Sequence, residues 1–331
     1  MKRLKIGDTI GIFSPSTPIT STSKNRYNRS KKFLEDKGFK ILEGNLTGKN
    51  DFYRSGSILQ RAEELNELIR NPEVRCIMST IGGMNSNSLL PYIDYDAFMR
   101  DPKVIIGYSD VTAILFAIYS KTGISTFYGP AIVASFGELE PFNEMTYQYF
   151  LEIMVENTIG NHEYIMPEVW TDEFIDWESQ SRSKKKVNNN WLTRKDEKAE
   201  GRLIIGNLST MSGIWGSQYM PEIVEGDILF IEDSLKNAAT VERLFSLLKL
   251  NGVFDKISGL ILGKHELFND SDTGRQPYEI LEEVLGDHNI PFLAEVDCCH
   301  THPMFTMPIG KNIIMDATNK IIVLNDEVFE N

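Results

Sequence analysis

Residues 103–119 read KVIIGYSDVTAILFAIY, a short apolar run and a helix-spaced apolar run separated by a Gly-Tyr-Ser-Asp turn. Residues 104–106 predict a buried strand, and the apolar residues after Asp110 predict a helix. Ser109 therefore lies where a strand meets a helix. Its side chain can cap the helix, or it can act as a nucleophile beside N–H groups suited to an oxyanion. Val111 replaces the second glycine of the G-x-S-x-G elbow, so both alternatives remain open.

Predicted strands and helices alternate along the N-terminal half. Strand patterns cover residues 5–13, 39–42, 74–80, 104–106 and 123–130, and helix patterns cover residues 25–37, 57–69, 111–119 and 143–155. This alternation predicts a mainly parallel sheet covered on both faces. Ligands bind at the carboxyl ends of strands in such sheets, so we expect the turn at Gly82 and Gly83 and the Ser109 turn to face one pocket. No G-x-G-x-x-G follows the first strand, which argues against a dinucleotide fold.

The periodic pattern stops in residues 166–200, which are polar and charged. We predict a long linking loop there, and loops of this length are usually functional or disordered. The loop carries Trp177 and Trp191. Trp191 either fills a seam between domains or stacks on a ligand. We interpret the basic run at residues 182–186 as a solvated face, with a phosphate site as the alternative.

A second series of predicted strands and helices follows residue 201. Strand patterns cover residues 203–205, 227–231, 257–262 and 292–296, two β-like segments lie around residues 311–324, and helix patterns cover residues 238–250 and 278–285. A chain of 331 residues exceeds what one core usually holds. We predict an α/β protein with an N-terminal parallel-sheet domain at residues 1–165 and a second domain at residues 201–331.

Composition narrows the class of protein. The hydrophobic share of 41% and the charged share of 24% are those of a soluble globular protein, and no apolar run approaches the ~20 residues of a membrane span. We interpret the N-terminus as a first strand rather than a signal peptide. Three cysteines form no disulfide framework, which favours a reducing cytoplasm. The net charge of −13 argues against nucleic-acid polymers and anionic membranes as partners, although a nucleotide in a pocket remains compatible.

A serine nucleophile needs a base within reach and an acid that orients the base. The chain has five histidines, of which His300 and His302 lie in a turn after a predicted strand. Glu232 ends another predicted strand and is the best placed acid. Two hypotheses compete with a serine nucleophile, and both involve the neighbouring Cys298 and Cys299: zinc binding and a cysteine nucleophile. No second C-x-x-C or H-x-x-x-H cluster completes a zinc site with them, so we predict no metal. The cysteine nucleophile remains an alternative to Ser109.

Six motifs together resemble one peptidase family. They are IGGMNSNSLLPYIDYD (81–96), PKVIIGYSD (102–110), TFYGP (126–130), GRLIIGNLST (201–210), ILFIED (228–233) and HTHPMFTMPIG (300–310). In this order they resemble the LD-carboxypeptidases, serine peptidase family S66, over nearly the whole chain. The asparagines after Gly-Gly, the GYSD turn, the tryptophan-bearing loop and the H-T-x-P-M ending are most similar to the microcin C self-immunity branch. The other branch trims muropeptides.

The resemblance implies a Ser-Glu-His triad of Ser109, Glu232 and His300. In the family the histidine usually precedes the second proline of the terminal motif by eight positions, and counting back from Pro308 gives His300. His302 stands where the microcin branch often has an acidic residue. It is a candidate substrate contact, and the alternative register makes it the base.

The resemblance also implies an oxyanion hole from the N–H groups of Gly83 and Asp110, and substrate contacts from Asn85, Trp177 and Trp191. It further implies a flavodoxin-like N-terminal domain and a smaller β-rich α/β C-terminal domain. It also implies a homodimer, and neither metal nor organic cofactor.

The expected activity is hydrolysis of the amide between an acidic amino acid and a nucleotide-like group, with a small peptide or peptidyl-nucleotide as substrate. A tryptophan of the loop could stack on the base. The alternatives are removal of terminal D-alanine from muropeptide tetrapeptides, a non-catalytic peptide-binding sensor, and an amidotransferase-like enzyme that uses a cysteine.

Overall fold

The computed structural model describes residues 1–156 and 161–329. The predicted domain ranges 1–165 and 201–331 therefore include residues 157–160, 330 and 331, which lie outside the described part. The strands are β1 (Thr9–Phe13), β2 (Lys40–Glu43), β3 (Val74–Ser79), β4 (Val104–Gly107), β5 (Phe127–Tyr128), β6 (His162–Glu163), β7 (Val169–Trp170), β8 (Val187–Asn188), β9 (Leu192–Lys195), β10 (Lys198–Asn207), β11 (Ile228–Glu232), β12 (Gly259–Gly263), β13 (Phe292–Val296), β14 (Met307–Pro308), β15 (Asn312–Asp316) and β16 (Ile321–Leu324).

The α-helices are α1 (Ile19–Thr22), α2 (Lys24–Asp36), α3 (Ile58–Arg70), α4 (Tyr95–Arg100), α5 (Thr112–Thr122), α6 (Phe142–Met154), α7 (Leu208–Ser212), α8 (Ala238–Leu250) and α9 (Pro277–Leu285). Two 3₁₀ helices (Ser86–Tyr92 and Ser109–Val111) and a π-helix (Ile132–Phe136) complete the helical elements. Along the described ranges, no helix combines the length and apolar character that a bilayer span requires.

The N-terminal sheet has the strand order β14-β5-β4-β3-β1-β2. Strands β1 to β5 pair in parallel, and β14, from near the end of the chain, pairs antiparallel with β5. Every residue of β4 is buried, as its continuous apolar run predicts. The expected parallel-sheet domain is confirmed, with one antiparallel edge strand that the sequence pattern did not indicate.

The second sheet has the order β6-β16-β15-β10-β11-β12-β13-β9. β10 joins its two halves: the first part of the strand pairs antiparallel with β15, and the second part pairs parallel with β11. The predicted β-rich second part of the α/β fold is thus confirmed. β6 belongs to this sheet although it precedes the linking loop in sequence.

Helix α5 joins the two sheets. It is buried from Thr112 to Ile118 and apolar on all sides, which is typical of an internal helix. Gly206 of β10 lies so close that an added Cβ atom would be 2.5 Å from Thr112 Cγ2 and 3.0 Å from Phe116 Cζ. The Thr112 hydroxyl also accepts the N–H of Asn207 at 3.1 Å. The start of α5, which follows Ser109 by three residues, is therefore fixed against the carboxyl end of β10.

The predicted long loop is partly wrong. Within residues 166–200, β7 pairs antiparallel with β8, β9 adds to the edge of the second sheet beside β13, and β10 begins at Lys198. These strands are short and alternate with charged residues, so their apolar pattern is weak. Residues 171–186 do lack helix and strand.

Candidate active site

Ser109 lies on a strained turn between β4 and α5. It is the first residue of the 3₁₀ helix that precedes α5, and its φ of +62° lies in the left-handed region. A non-glycine residue there costs about 1–3 kcal/mol and needs surrounding structure to hold it. Its N–H donates to Tyr128 Oη at 3.1 Å. No side-chain cap is formed at this helix start, so the alternative of Ser109 as an N-cap is wrong.

Three side chains from distant parts of the chain form one chain of hydrogen bonds. His300 Nε2 lies 2.9 Å from Ser109 Oγ, and His300 Nδ1 lies 2.6 Å from Glu232 Oε2. Ser109 follows β4 of the first sheet, Glu232 ends β11, and His300 follows β13 of the second sheet. The imidazole can therefore take a proton from the hydroxyl while the carboxylate holds its other nitrogen.

Glu232 is held by two residues that the sequence analysis missed. Its Oε1 accepts Tyr128 Oη at 2.5 Å and Asn207 Nδ2 at 3.0 Å, while Oε2 faces His300. Both residues end strands, in the TFYGP and GRLIIGNLST motifs. Strand ends within those motifs were the signal that could have identified them.

The carboxylate and the imidazole stabilise each other's charge. Burial lowers the pKa of His300, but the charge and hydrogen bond of Glu232 outweigh it, so this pKa lies above its ordinary value. Burial raises the pKa of Glu232, but the charge of His300 and three hydrogen bonds leave it below the usual range. A buried Glu232 that stays ionised is suited to support an imidazolium during proton transfer.

The turn at Gly82 and Gly83 packs directly against Ser109. A Cβ atom at Gly82 would lie 2.9 Å from Ser109 Oγ, and one at Gly83 would lie 2.2 Å from Ser16 Oγ. Gly83 also has φ of +150°, so only glycine suits this position. Among the described residues, the N–H groups of Gly83 and Asp110 donate to no protein acceptor. Both remain available to an oxygen bound beside Ser109.

Asn85 has a supporting position rather than the predicted substrate contact. It does not line the cleft, and its Oδ1 accepts Arg61 Nη1 at 2.7 Å and Ser16 Oγ at 2.9 Å. Its N–H donates to Asp110 Oδ2 at 2.9 Å. The asparagine thus ties the glycine turn to the Ser109 turn. Asn87, two residues later, does line the cleft.

A cleft of about 410 Å³ is lined by Ser109, Gly83, Asp110, His300 and residues from both halves of the chain. Trp177 lines it and is half-buried, in agreement with the geometry that a substrate contact needs. Besides Asp110 and the histidines, the lining contains four acidic or basic residues, Asp233, Lys236, Lys184 and Glu266.

The sequence analysis misjudged Lys184 and missed Glu266. Lys184 is buried and its Nζ lies 3.3 Å from the fully buried Glu138, so the solvated-face interpretation is wrong at this residue. Arg182, two residues earlier, remains at the surface paired with Glu173. Glu266 forms no side-chain hydrogen bond or ion pair within the described ranges, and burial raises its pKa. Neither side chain stands out in sequence because its surroundings come from remote segments.

Trp191 is fully buried and does not line the cleft, so the expected substrate contact is wrong. Its Nε1 donates to Asp297 Oδ2 at 2.7 Å, and its ring meets Phe305 edge-on at 5.9 Å. Asp297 also pairs with Lys264 at 2.6 Å. Its burial is compatible with the alternative, a residue that fills a seam between domains.

His302 lies on the cleft wall but not beside Ser109. Its backbone pairs with Thr171 in a two-way bridge, and its Nε2 lies 3.9 Å from Glu138 Oε2. Burial, followed by the positive charge of Lys184, lowers its pKa well below the ordinary value. The hydrogen bond to Ser109 comes from His300, so the alternative register has no geometric support.

The structure does not support the two hypotheses that use a cysteine, a cysteine nucleophile and a zinc site. Cys298 and Cys299 are buried, and burial raises the pKa of Cys299 to about 12 and that of Cys298 well above its usual value. A nucleophilic or metal-binding cysteine needs the thiolate form. Within the residues that the structure describes, no group of three or more metal-ligating side chains occurs.

The chain belongs to the LD-carboxypeptidase family, peptidase family S66. The model of the family's N-terminal domain matches residues 10–129, and that of its C-terminal domain matches residues 200–315. The resemblance noted from the motifs is confirmed.

Within that family, the chain is similar to the microcin C7 self-immunity protein MccF of Escherichia coli, with 56% identity over 98% of this chain and 95% of that protein. A solved structure of MccF in complex with aspartyl sulfamoyl adenosine matches with a TM-score of 0.98 and 56% identity, covering 99% of both chains. MccF in complex with glutamyl sulfamoyl guanosine matches with a TM-score of 0.97 and 55% identity, again over 99% of both chains.

Proposed function

We propose that this chain is a serine hydrolase that cleaves the amide between an acidic amino acid and a nucleotide-like group, in the manner of a self-immunity enzyme. The observation that carries the proposal is the unbroken series of contacts from Ser109 through His300 to Glu232 at the floor of the cleft. The two MccF complexes support the choice of substrate, because each contains an acidic amino acid joined to a nucleoside through a sulfamoyl group.

In the first half of the reaction, His300 Nε2 takes the proton of Ser109 Oγ as the oxygen attacks the carbonyl carbon. The developing oxyanion accepts hydrogen bonds from the N–H groups of Gly83 and Asp110. Glu232 stabilises the imidazolium through Nδ1. The imidazolium then returns its proton to the leaving nitrogen, which frees the nucleotide-like group and leaves the aminoacyl ester on Ser109.

In the second half, His300 takes a proton from the water that attacks the ester, and it returns this proton to Ser109 Oγ as the acidic amino acid leaves. Trp177 offers an aromatic surface to the base, a contact worth ~1–3 kcal/mol. Lys236, a partly exposed ammonium in the cleft, is suited to a substrate carboxylate.

The test is competition between two substrates. Purified protein is offered aspartyl sulfamoyl adenosine and a muropeptide tetrapeptide, and products are separated by chromatography. The proposal expects aspartate and sulfamoyl adenosine. Release of D-alanine alone would overturn the choice of branch, and the family's LD-carboxypeptidase description makes that the second candidate. A non-catalytic sensor would release neither product.

We also propose three properties that rest on the family resemblance. The chain divides into an N-terminal domain at residues 1–165 and a C-terminal domain at residues 201–331. The two sheets and the two family models support this division, although β6 and β14 each pair in the sheet of the other domain.

The protein is a cytoplasmic homodimer. Light scattering of the purified protein tests the dimer, because a monomer mass would contradict it.

A further inference from the structure

Arg26 of α2 is fully buried beneath the cleft wall, and all three of its guanidinium nitrogens are hydrogen-bonded. Nε donates to the Val133 carbonyl at 2.9 Å, and Nη2 donates to the Ala134 carbonyl at 2.7 Å. Nη2 also reaches Glu138 Oε2 at 3.1 Å, and Nη1 donates to Gln180 Oε1 at 2.7 Å. This guanidinium has a single available orientation.

The same guanidinium lies over the indole of Trp177, with Cζ 4.4 Å from the ring centroid. Trp177 belongs to residues 171–186, which have no helix or strand to hold them. Its indole lines the cleft while Arg26 is fully buried, so the arginine supports the ring from the protein side. A cation–π contact of this kind favours a flat stack and so limits the tilt of the ring.

Glu138 compensates the charge that this arrangement buries. It is fully buried, and its Oε2 lies within 3.3 Å of both Arg26 Nη2 and Lys184 Nζ. Burial raises the pKa of Glu138, but the charges of His302, Arg26 and Lys184 outweigh it and lower the pKa to about 2. Gln180 Nε2 donates to the other carboxylate oxygen. One ionised carboxylate therefore binds α2 through Arg26, and binds the segment that follows Trp177 through Gln180 and Lys184.

We propose that Glu138 is a positioning residue that, through Arg26, fixes the cleft face of Trp177 as a rigid stacking surface for the base of the substrate. This inference rests on the proposed function. It adds that Glu138 and Arg26 make the enzyme prefer a substrate that carries a nucleobase over one that lacks it. Without the carboxylate, Arg26 loses a ligand and its charge compensation, and residues 171–186 lose the anchor of Lys184. The indole then has to be ordered by each incoming substrate, which weakens binding.

The expected signature is a loss of base selectivity. A base–aromatic stack changes affinity by about tenfold or more. We therefore expect Glu138→Gln to raise KM for aspartyl sulfamoyl adenosine about tenfold with little change in kcat, because Ser109, His300 and Glu232 do not contact Glu138. KM for aspartyl sulfamoyl ribose, which lacks the base, should stay within about twofold of the wild-type value.

The experiment measures kcat and KM for both compounds in four proteins: wild type, Glu138→Gln, Trp177→Leu and the double variant. If Glu138 acts through the indole, Glu138→Gln has no further effect on KM in the Trp177→Leu background. Glu173→Gln is the matched control. It removes a carboxylate of the same segment that pairs with Arg182 and does not contact Arg26, so its base selectivity should equal that of the wild type.

Removing the Glu138 charge leaves the buried cations of Arg26 and Lys184 without the carboxylate that compensates them, so the variant is checked by its thermal unfolding midpoint. If it does not fold, Gln180→Ala takes its place, since it removes one Arg26 ligand and no charge, and it carries the same prediction. Equal loss on the adenosine and ribose compounds, or additive effects in the double variant, would overturn the inference. Wild-type protein that cleaves neither compound would instead refute the proposed function.

Discussion

Replacing Glu232 with glutamine should disable the base while leaving the shape of the cleft intact. Tyr128 Oη accepts the N–H of Ser109, so its own proton points to Glu232 Oε1, where Asn207 Nδ2 also donates. Two donors at this position keep the amide oxygen of glutamine there. The amide nitrogen then takes the place of Oε2, which lies 2.6 Å from His300 Nδ1.

That geometry inverts the tautomer of the imidazole. The new NH₂ group donates to Nδ1, so the neutral ring carries its proton on Nε2, the atom 2.9 Å from Ser109 Oγ. A protonated Nε2 cannot accept the serine proton. A base held in the wrong tautomer costs about 10⁴-fold in kcat, or about 5 kcal/mol of barrier.

The assay is the initial rate of aspartate release from aspartyl sulfamoyl adenosine across pH 6 to 9. Loss of the Glu232 charge removes an influence that raises the His300 pKa, and burial, which lowers it, remains. Raising the pH should therefore restore no activity. Asp227→Asn is the matched control, because it removes a buried carboxylate that pairs with Arg202 in the same sheet region. Glu232→Gln activity within tenfold of the wild type would refute the reasoning.

Three further predictions test other parts of the site. Ser109→Ala should lower turnover by at least about 10³-fold, while calorimetric binding of sulfamoyl adenosine, the proposed nucleoside product, stays within about threefold of wild type; unchanged turnover would point to another nucleophile. The wild-type kcat/KM should fall as pH drops through a His300 pKa above the ordinary 6.5, because the base must be neutral to accept a proton; a midpoint below 6.5 would contradict this. Gly83→Ala places a Cβ 2.2 Å from Ser16 Oγ at φ of +150°, so it should displace one oxyanion donor and lower kcat by about 10²-fold or more; a wild-type kcat would remove Gly83 from the mechanism.

Local patterns predicted the framework well because the framework is set locally. The apolar run of β4, the turn at Ser109 and the helical spacing of α5 lie within one short segment. Helix α8 and strand β13 have the predicted bounds, since each has a full periodic pattern and clear termini. Glu232 ends a buried strand and the turn with His300 and His302 follows one, which is where parallel sheets place their ligand-binding residues. The choice of His300 over His302 came from the family resemblance.

The environment of a side chain was harder to predict than its position in the chain. Trp191 and Lys184 both lie in the aperiodic segment, and both are buried. Trp191 donates to Asp297 and Lys184 pairs with Glu138, carboxylates that are far away in sequence. A pairing of that kind leaves no periodicity to detect. The same limit applies to β14, which completes the first sheet through two residues, Met307 and Pro308.

Mass spectrometry of acid-quenched protein during turnover of aspartyl sulfamoyl adenosine tests the central claim most directly. The account predicts an aspartyl ester on the peptide that contains Ser109, present in the wild type and absent from Ser109→Ala. An aspartyl group on any other residue, or turnover by Ser109→Ala at the wild-type rate, would contradict it.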